Sequence, residues 1–126
     1  MQPSLLAFIG DAVFNLFIRE RLIMNKKGTS HQLHILATDY VKASSQSKIS
    51  KALMDIFTEE EAYIFRRGRN AKSTTIPKNA EVQDYKYATG FEALLGYLYL
   101  TKQKERLYQL MEQAAGIIEM HGTQGR

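Results

Sequence analysis

The sequence predicts an all-α protein, a single domain over residues 1–126, on three observations. Only two prolines occur, Pro3 and Pro77, so a long interval lacks the strongest helix breaker. Apolar residues recur at three- and four-residue spacing through that interval and again after Asp84. No segment alternates convincingly with a period of two, and there is no internal repeat or low-complexity tract. A chain of 126 residues has room for one substantial hydrophobic core and not for two.

The first helix starts near Pro3 and Ser4, since proline is tolerated in a first turn. It ends by Asn25-Lys26-Lys27-Gly28, where basic residues and glycine suit a C-terminus. From Leu5 to Ile18 it is almost wholly apolar, with Asp11 in the middle. A helix apolar on nearly every side belongs inside a domain, and an acid there must be paired, metal-bound or protonated. Ala7, Asp11, Asn15 and Arg19 share one stripe, which reads as one wall of a cleft. Asp11 is then either a functional carboxylate or an acid that caps a neighbouring helix or meets an internal arginine.

Ser30 is a candidate N-cap for a second helix carrying Leu33, Leu36, Ala37, Tyr40 and Val41. Ser44-Ser45 allows a break, after which Ile49, Ala52, Leu53, Ile56 and Phe57 form an amphipathic helix. Thr58-Glu59-Glu60-Glu61 is a capping box opening a short helix through Tyr63, Ile64 and Phe65. The stretch from Arg66 to Asn79 is basic and rich in turn formers, which predicts a surface loop carrying the densest positive patch. A helix apolar nearly all round resumes at Asp84 and runs to Leu100, again with one mid-helix acid, Glu92. The last, from about Lys102 through Leu107, Leu110, Met111, Ala114, Ile117 and Ile118, is amphipathic and frays from His121.

Composition narrows the function classes. With 44% hydrophobic and 24% charged residues the chain reads as soluble and globular, and without cysteine it has neither disulfides nor a thiolate metal site. The first helix has no basic segment before it and is interrupted by Asp11 and Asn15, so it reads neither as a signal peptide nor as a membrane span. A cytoplasmic protein is expected. Its net charge of +4 mildly favours an anionic partner. The absence of a phosphate-binding glycine loop, a cysteine nucleophile and a serine elbow leaves acyl transfer and nucleotide hydrolysis without support.

Two constellations remain. If the two most hydrophobic helices pack together, Asp11 and Glu92 converge on one hard cation such as Mg²⁺; otherwise each acid caps or pairs separately. Arg66, Arg67, Arg69, Asn70, Lys72, Ser73 and Lys78 are side-chain types that contact phosphate and sugar, or else they form an ordinary solvated surface. His31 and His34, at i, i+3 with Asp39 nearby, read as surface histidines before metal ligands, and Tyr85, Tyr87, Tyr97 and Tyr99 as packing residues before base-stacking ones.

Phe8-Ile9-Gly10-Asp11-Ala12-Val13 resembles the signature helix of ribonuclease III catalytic domains, and Phe91-Glu92-Ala93-Leu94-Leu95-Gly96-Tyr97-Leu98-Tyr99 resembles their second acidic helix. Arg66-Arg67-Gly68-Arg69-Asn70-Ala71-Lys72-Ser73 with Pro77-Lys78-Asn79 narrows the resemblance to mini-ribonuclease III, the catalytic domain without a double-stranded-RNA-binding domain. The resemblance implies a homodimeric endonuclease of double-stranded RNA that uses Mg²⁺, with Mn²⁺ as a substitute, and matures the precursor of large-subunit (23S) ribosomal RNA. It implies Asp11 as metal-binding catalytic acid, Glu92 as its partner, and the basic stretch as the RNA contact. Full-length members carry further acids where this chain has Ser4, Ala7 and Thr89. The rival expectations are a double-stranded-RNA-binding module with weak catalysis and a protein using the fold only to dimerise.

Overall fold

A computed structural model describes residues 1–25, 27–72 and 81–124. The described residues form α1 (Pro3–Asn25), α2 (Ser30–Val41), α3 (Ala43–Leu53), a 3₁₀ turn (Met54–Ile56), α4 (Glu59–Asn70), α5 (Val82–Leu100) and α6 (Lys104–Gln124). No strand occurs among them, in keeping with the all-α expectation.

α5 is the axis of the bundle. Ala88, Gly90, Phe91, Ala93, Leu94, Leu95, Gly96 and Leu98 cover most of its circumference and are buried, because α1, α3, α4 and α6 all pack on it. α1 lies along α5, and Phe14 meets Phe91 edge-on with ring centroids 5.5 Å apart. Burial of side chains such as Phe14, Ile18 and Leu94 contributes roughly 1.5–3 kcal/mol each. α1 departs from expectation: it buries Leu6, Ala7, Gly10, Phe14, Ile18 and Leu22, but Leu5, Phe8, Leu16, Ile23 and Met24 face outward. Its apolar residues fall on two faces, only one of which the described residues cover.

Local chemistry decides the boundaries. The N-cap of α2 is Thr29, one residue before the expected Ser30: its Oγ1 accepts from the Gln32 N–H at 3.2 Å and Gln32 Oε1 accepts from the Thr29 N–H at 2.9 Å. The α2–α3 break falls at the extended Lys42 rather than at Ser44-Ser45. Ser45 instead turns into the protein and donates to the Asp39 carbonyl. The Thr58 capping box is present, with Glu61 at its reciprocal position.

The expected surface loop from Arg66 to Asn79 needs correction over residues 66–70, since α4 continues through Asn70 with Phe65 and Gly68 buried against α5, while residues 73–79 lie outside the described residues. A Cβ on Gly68 would lie 2.9 Å from Gly90 Cα, and one on Gly90 would lie 2.8 Å from the Phe65 carbonyl oxygen. The packing of these glycines holds helix where the basic composition suggested loop. Two ion-pair networks brace the periphery. Arg21 of α1 bonds Glu119 at 2.8 Å and Glu112 at 3.0 Å on α6, and the Tyr40 hydroxyl of α2 donates to Glu119 at 3.0 Å. Arg106 of α6 bonds both oxygens of buried Glu61 at 2.9 Å.

Candidate active site

The two mid-helix acids meet because glycine lets their helices touch. A Cβ on Gly10 would sit 1.7 Å from the Glu92 carbonyl oxygen, and one on Gly96 would sit 1.9 Å from the Leu6 carbonyl oxygen. Only glycine permits such an approach of two backbones. Asp11 follows Gly10 directly, so the crossing that brings α1 onto α5 also carries its side chain to Glu92. Their convergence was only one of two alternatives at the sequence level.

Asp11 is exposed at the mouth of the site, and Asn15 Nδ2 donates to its Oδ1 at 3.1 Å and to its carbonyl at 2.8 Å. Glu92 lies deeper. Burial first, then a hydrogen bond to Asp11 and the Asp11 charge, push its pKa up to about 8, while a hydrogen bond from Gln46 works the other way. Gln46 Nε2 donates to Glu92 Oε2 at 3.0 Å and to the Val41 carbonyl at 2.7 Å. Two acids brought together in this way, one carrying a proton it would lose in water, form a site that a cation would stabilise.

The pair opens into a cleft of about 450 Å³ whose lining includes Asp11, Glu92, Gln46, Thr89, Arg69 and Lys72. Arg69 comes from the end of α4 and packs its guanidinium 5.8 Å from the Tyr87 ring centre and 5.9 Å from that of Phe65. Its Nε also donates to Asn70 Oδ1 at 3.2 Å. Arg66 and Arg67 are exposed on the same helix, and Arg67 stacks over Tyr63 at 5.8 Å. Ser73 and Lys78 lie outside the described residues. The structure therefore places Arg69 and Lys72 in the lining of the same cleft as the carboxylates and leaves Arg66 and Arg67 out of it. Of the tyrosines, Tyr87 packs on Phe65 and the Tyr97 hydroxyl donates to Glu60 at 2.7 Å, which agrees with packing roles.

Gln46 was missed in the sequence. It shares a stripe with Ile49, Ser50 and Leu53, but an uncharged amide beside serines gives no signal of burial in the sequence.

The donors suit a hard divalent cation. Mg²⁺ is commonly held by one or two carboxylates, with water completing its shell. Asp11 and Glu92 supply such a pair in an open cleft, and the raised pKa of Glu92 marks a proton that a cation would displace. No cluster of three or more His, Cys, Asp or Glu side chains able to hold a metal occurs among the described residues, so the shell is a thin one.

The family profile described as the Ribonuclease III domain matches residues 4–103. The chain is 50% identical to the Mini-ribonuclease 3 of Thermoanaerobacter sp. (strain X514) over 94% of its length and 84% of that protein. It is 45% identical to the Mini-ribonuclease 3 of Clostridium tetani over 94% of its length and 80% of that protein. An X-ray crystal structure of a protein from Fusobacterium nucleatum superposes with a TM-score of 0.81 at 32% identity, covering 89% of each chain.

Proposed function

The chain belongs to the ribonuclease III family, in its mini-ribonuclease 3 group, and from that premise we infer that it is an endoribonuclease specific for double-stranded RNA. The reading takes residues 1–126 as one catalytic domain and Asp11 and Glu92 as the acids that hold Mg²⁺, or Mn²⁺ in its place. The observation that carries the site assignment is the glycine crossing that sets two carboxylates side by side in a cleft also lined by Arg69 and Lys72.

A divalent cation in such a site supplies an activated water and stabilises charge at the scissile phosphate. The chain's own residues do the rest. Asn15 holds the Asp11 carboxylate at the mouth of the cleft, and Gln46 holds that of Glu92 inside it. Arg69, already braced on Tyr87 and Phe65, and Lys72 bind strand phosphates beside the carboxylates, which sets register without reading bases. Arg66, Arg67 and Asn70 extend that phosphate-binding surface along α4, and Ser73 and Lys78, outside the described residues, are read as further phosphate contacts. Duplex shape and 2′-hydroxyls, rather than sequence, select the substrate.

The enzyme acts as a homodimer in this reading. α1 exposes an apolar stripe through Leu5, Phe8, Ala12 and Leu16, with Phe8 80% and Leu16 60% exposed. Phe8 also lines the cleft, so a second copy covering this stripe would adjoin the site. Two-fold pairing matches the antiparallel strands of a duplex and yields cuts in both. No described helix is long and apolar enough to cross a membrane, and the reading places the enzyme in the cytoplasm, acting on the precursor of large-subunit (23S) ribosomal RNA.

Incubation with a long RNA duplex tests the activity. Cleavage with Mg²⁺, none with a chelator, and none of duplex DNA are expected. A duplex bound but left intact under all divalent conditions would overturn the reading in favour of a binding module, which the thin acid shell would then explain. Neither binding nor cleavage would leave a protein that uses the fold to dimerise.

A further inference from the structure

α3 buries an unusual amount of polar side chain against α5, including Ser45, Gln46, Ser47 and Ser50. Ser50 is satisfied locally, donating to the Gln46 carbonyl at 2.8 Å. Gln46 is different. It is 1% exposed, and leaving a buried polar atom without a partner costs on the order of 1–3 kcal/mol. Both Nε2 hydrogens are used, one on the Val41 carbonyl at 2.7 Å and one on Glu92 Oε2 at 3.0 Å. The carbonyl of Val41 can only accept, so turning the amide over would set oxygen against oxygen there. Its orientation is thereby decided, and the consequence is a buried Oε1 with no partner. An apolar side chain of similar length would remove that orphan atom but would leave Glu92 without its anchor. A lysine or arginine would anchor Glu92 but would also compete with a cation for it.

We infer that Gln46 is a positioning residue: its neutral amide pins Glu92 Oε2, leaving the other carboxylate oxygen for the cation. The inference rests on the reading of Asp11 and Glu92 as the cation-binding pair. Gln46 thus sets the reach of the deeper acid without adding charge to a site already holding two. Because it also bonds Val41, the last residue of α2, it ties the α2–α3 junction to the carboxylate that the cleft presents.

The test is Mn²⁺ binding by the full chain without RNA, read from the electron paramagnetic resonance signal of the free aquo ion, with steady-state cleavage alongside. Gln46→Met should weaken Mn²⁺ binding by about tenfold to a hundredfold, the usual effect of removing a group that orients a metal ligand. It should lower kcat while leaving KM for duplex RNA unchanged. In a Glu92→Gln background the same substitution should add no further loss, since its effect passes through Glu92. A folded Gln46→Met protein with parental Mn²⁺ affinity would overturn the inference alone, as would an equal loss in the Glu92→Gln background. Parental affinity in Glu92→Gln itself would overturn the cation-pair reading and the inference with it. Should Gln46→Met not fold, Gln46→Asn decides on the same readout, because it keeps the amide and shortens its reach: weakened Mn²⁺ binding supports the inference and parental binding overturns it.

Discussion

At the scale of single residues, the chemistry rests on two acids whose types are ordinary and whose placement is not. Asp11→Asn keeps the shape and removes the charge, so cleavage should fall by at least about a hundredfold while circular dichroism and duplex binding stay near parental. A variant that cuts at the parental rate would remove Asp11 from the site. Glu92 carries a pH signature. Its folded pKa of about 8 lies above the ordinary 4.5, so between those values the folded chain holds a proton that the unfolded chain has released. Stability from this group is complete below about pH 4.5 and is lost as pH rises through about 8. With chelator present, the melting temperature of the parent should therefore fall relative to Glu92→Gln across that window, by the equivalent of a few kcal/mol at most. Parallel pH profiles would refute it. Both acids were legible as lone carboxylates in apolar helices. Gln46 was not, because an uncharged amide among serines draws no notice until its burial and bonds are known.

Among elements, the α1–α5 crossing governs the site. Gly10→Ala would drive a Cβ to 1.7 Å from the Glu92 carbonyl oxygen, a backbone atom with no rotamer to yield. The helices must part, and urea denaturation should show a loss of at least about 3 kcal/mol together with loss of cleavage. Gly116→Ala is the contrast. Nothing lies within 4 Å of its Cβ position on α6, so the same substitution should stabilise by about 0.5–1 kcal/mol with activity unchanged. α4 carries the second element-scale test. Joint replacement of Arg66, Arg67, Arg69 and Lys72 by alanine should weaken binding of all duplex sequences alike. The slope of log K against log salt should flatten by roughly 0.9 for each phosphate that the variant no longer neutralises. An unchanged slope would return α4 to ordinary solvated surface. The sequence pattern located most helices to within a few residues but ended this one too soon. Arginine-rich composition masked a face on which Phe65 and Gly68 are buried against α5.

For the whole molecule, assembly and acid stability are the measurable consequences. Leu16, 60% exposed on α1, makes little contribution to the core of one copy. Leu16→Glu should yield a folded monomer by sedimentation that no longer makes paired cuts; a dimer of parental affinity would move the interface elsewhere. Glu61 is 4% exposed and faces Arg106. Burial alone would raise its pKa, but hydrogen bonds from Arg106 and Thr58 and the Arg106 charge hold it below the ordinary carboxylate value. The stability from this group is present above the unfolded pKa of about 4.5 and disappears as pH falls through the lower folded value. Arg106→Met strands a buried acid, so it should lose on the order of 3 kcal/mol at neutral pH and much less in acid. Equal losses at both pH values would show that Arg106 serves packing alone.

By itself the sequence determined the helical class, the single core, the presence of two acids in apolar surroundings and the basic run between them in the chain. All of these follow from spacing and from the cost of burying charge, which any part of the chain reveals locally. What only the tertiary structure decided is where those pieces meet. α5 rather than α1 became the axis, because α5 is covered around most of its circumference while α1 keeps an outward apolar stripe. The acids came together, with Gln46 behind one of them, because Gly10 and Gly96 allow two backbones to touch. The meeting of Asp11 with Glu92, 81 residues further along the chain, is set by which surfaces interlock, and no periodicity within either helix encodes that.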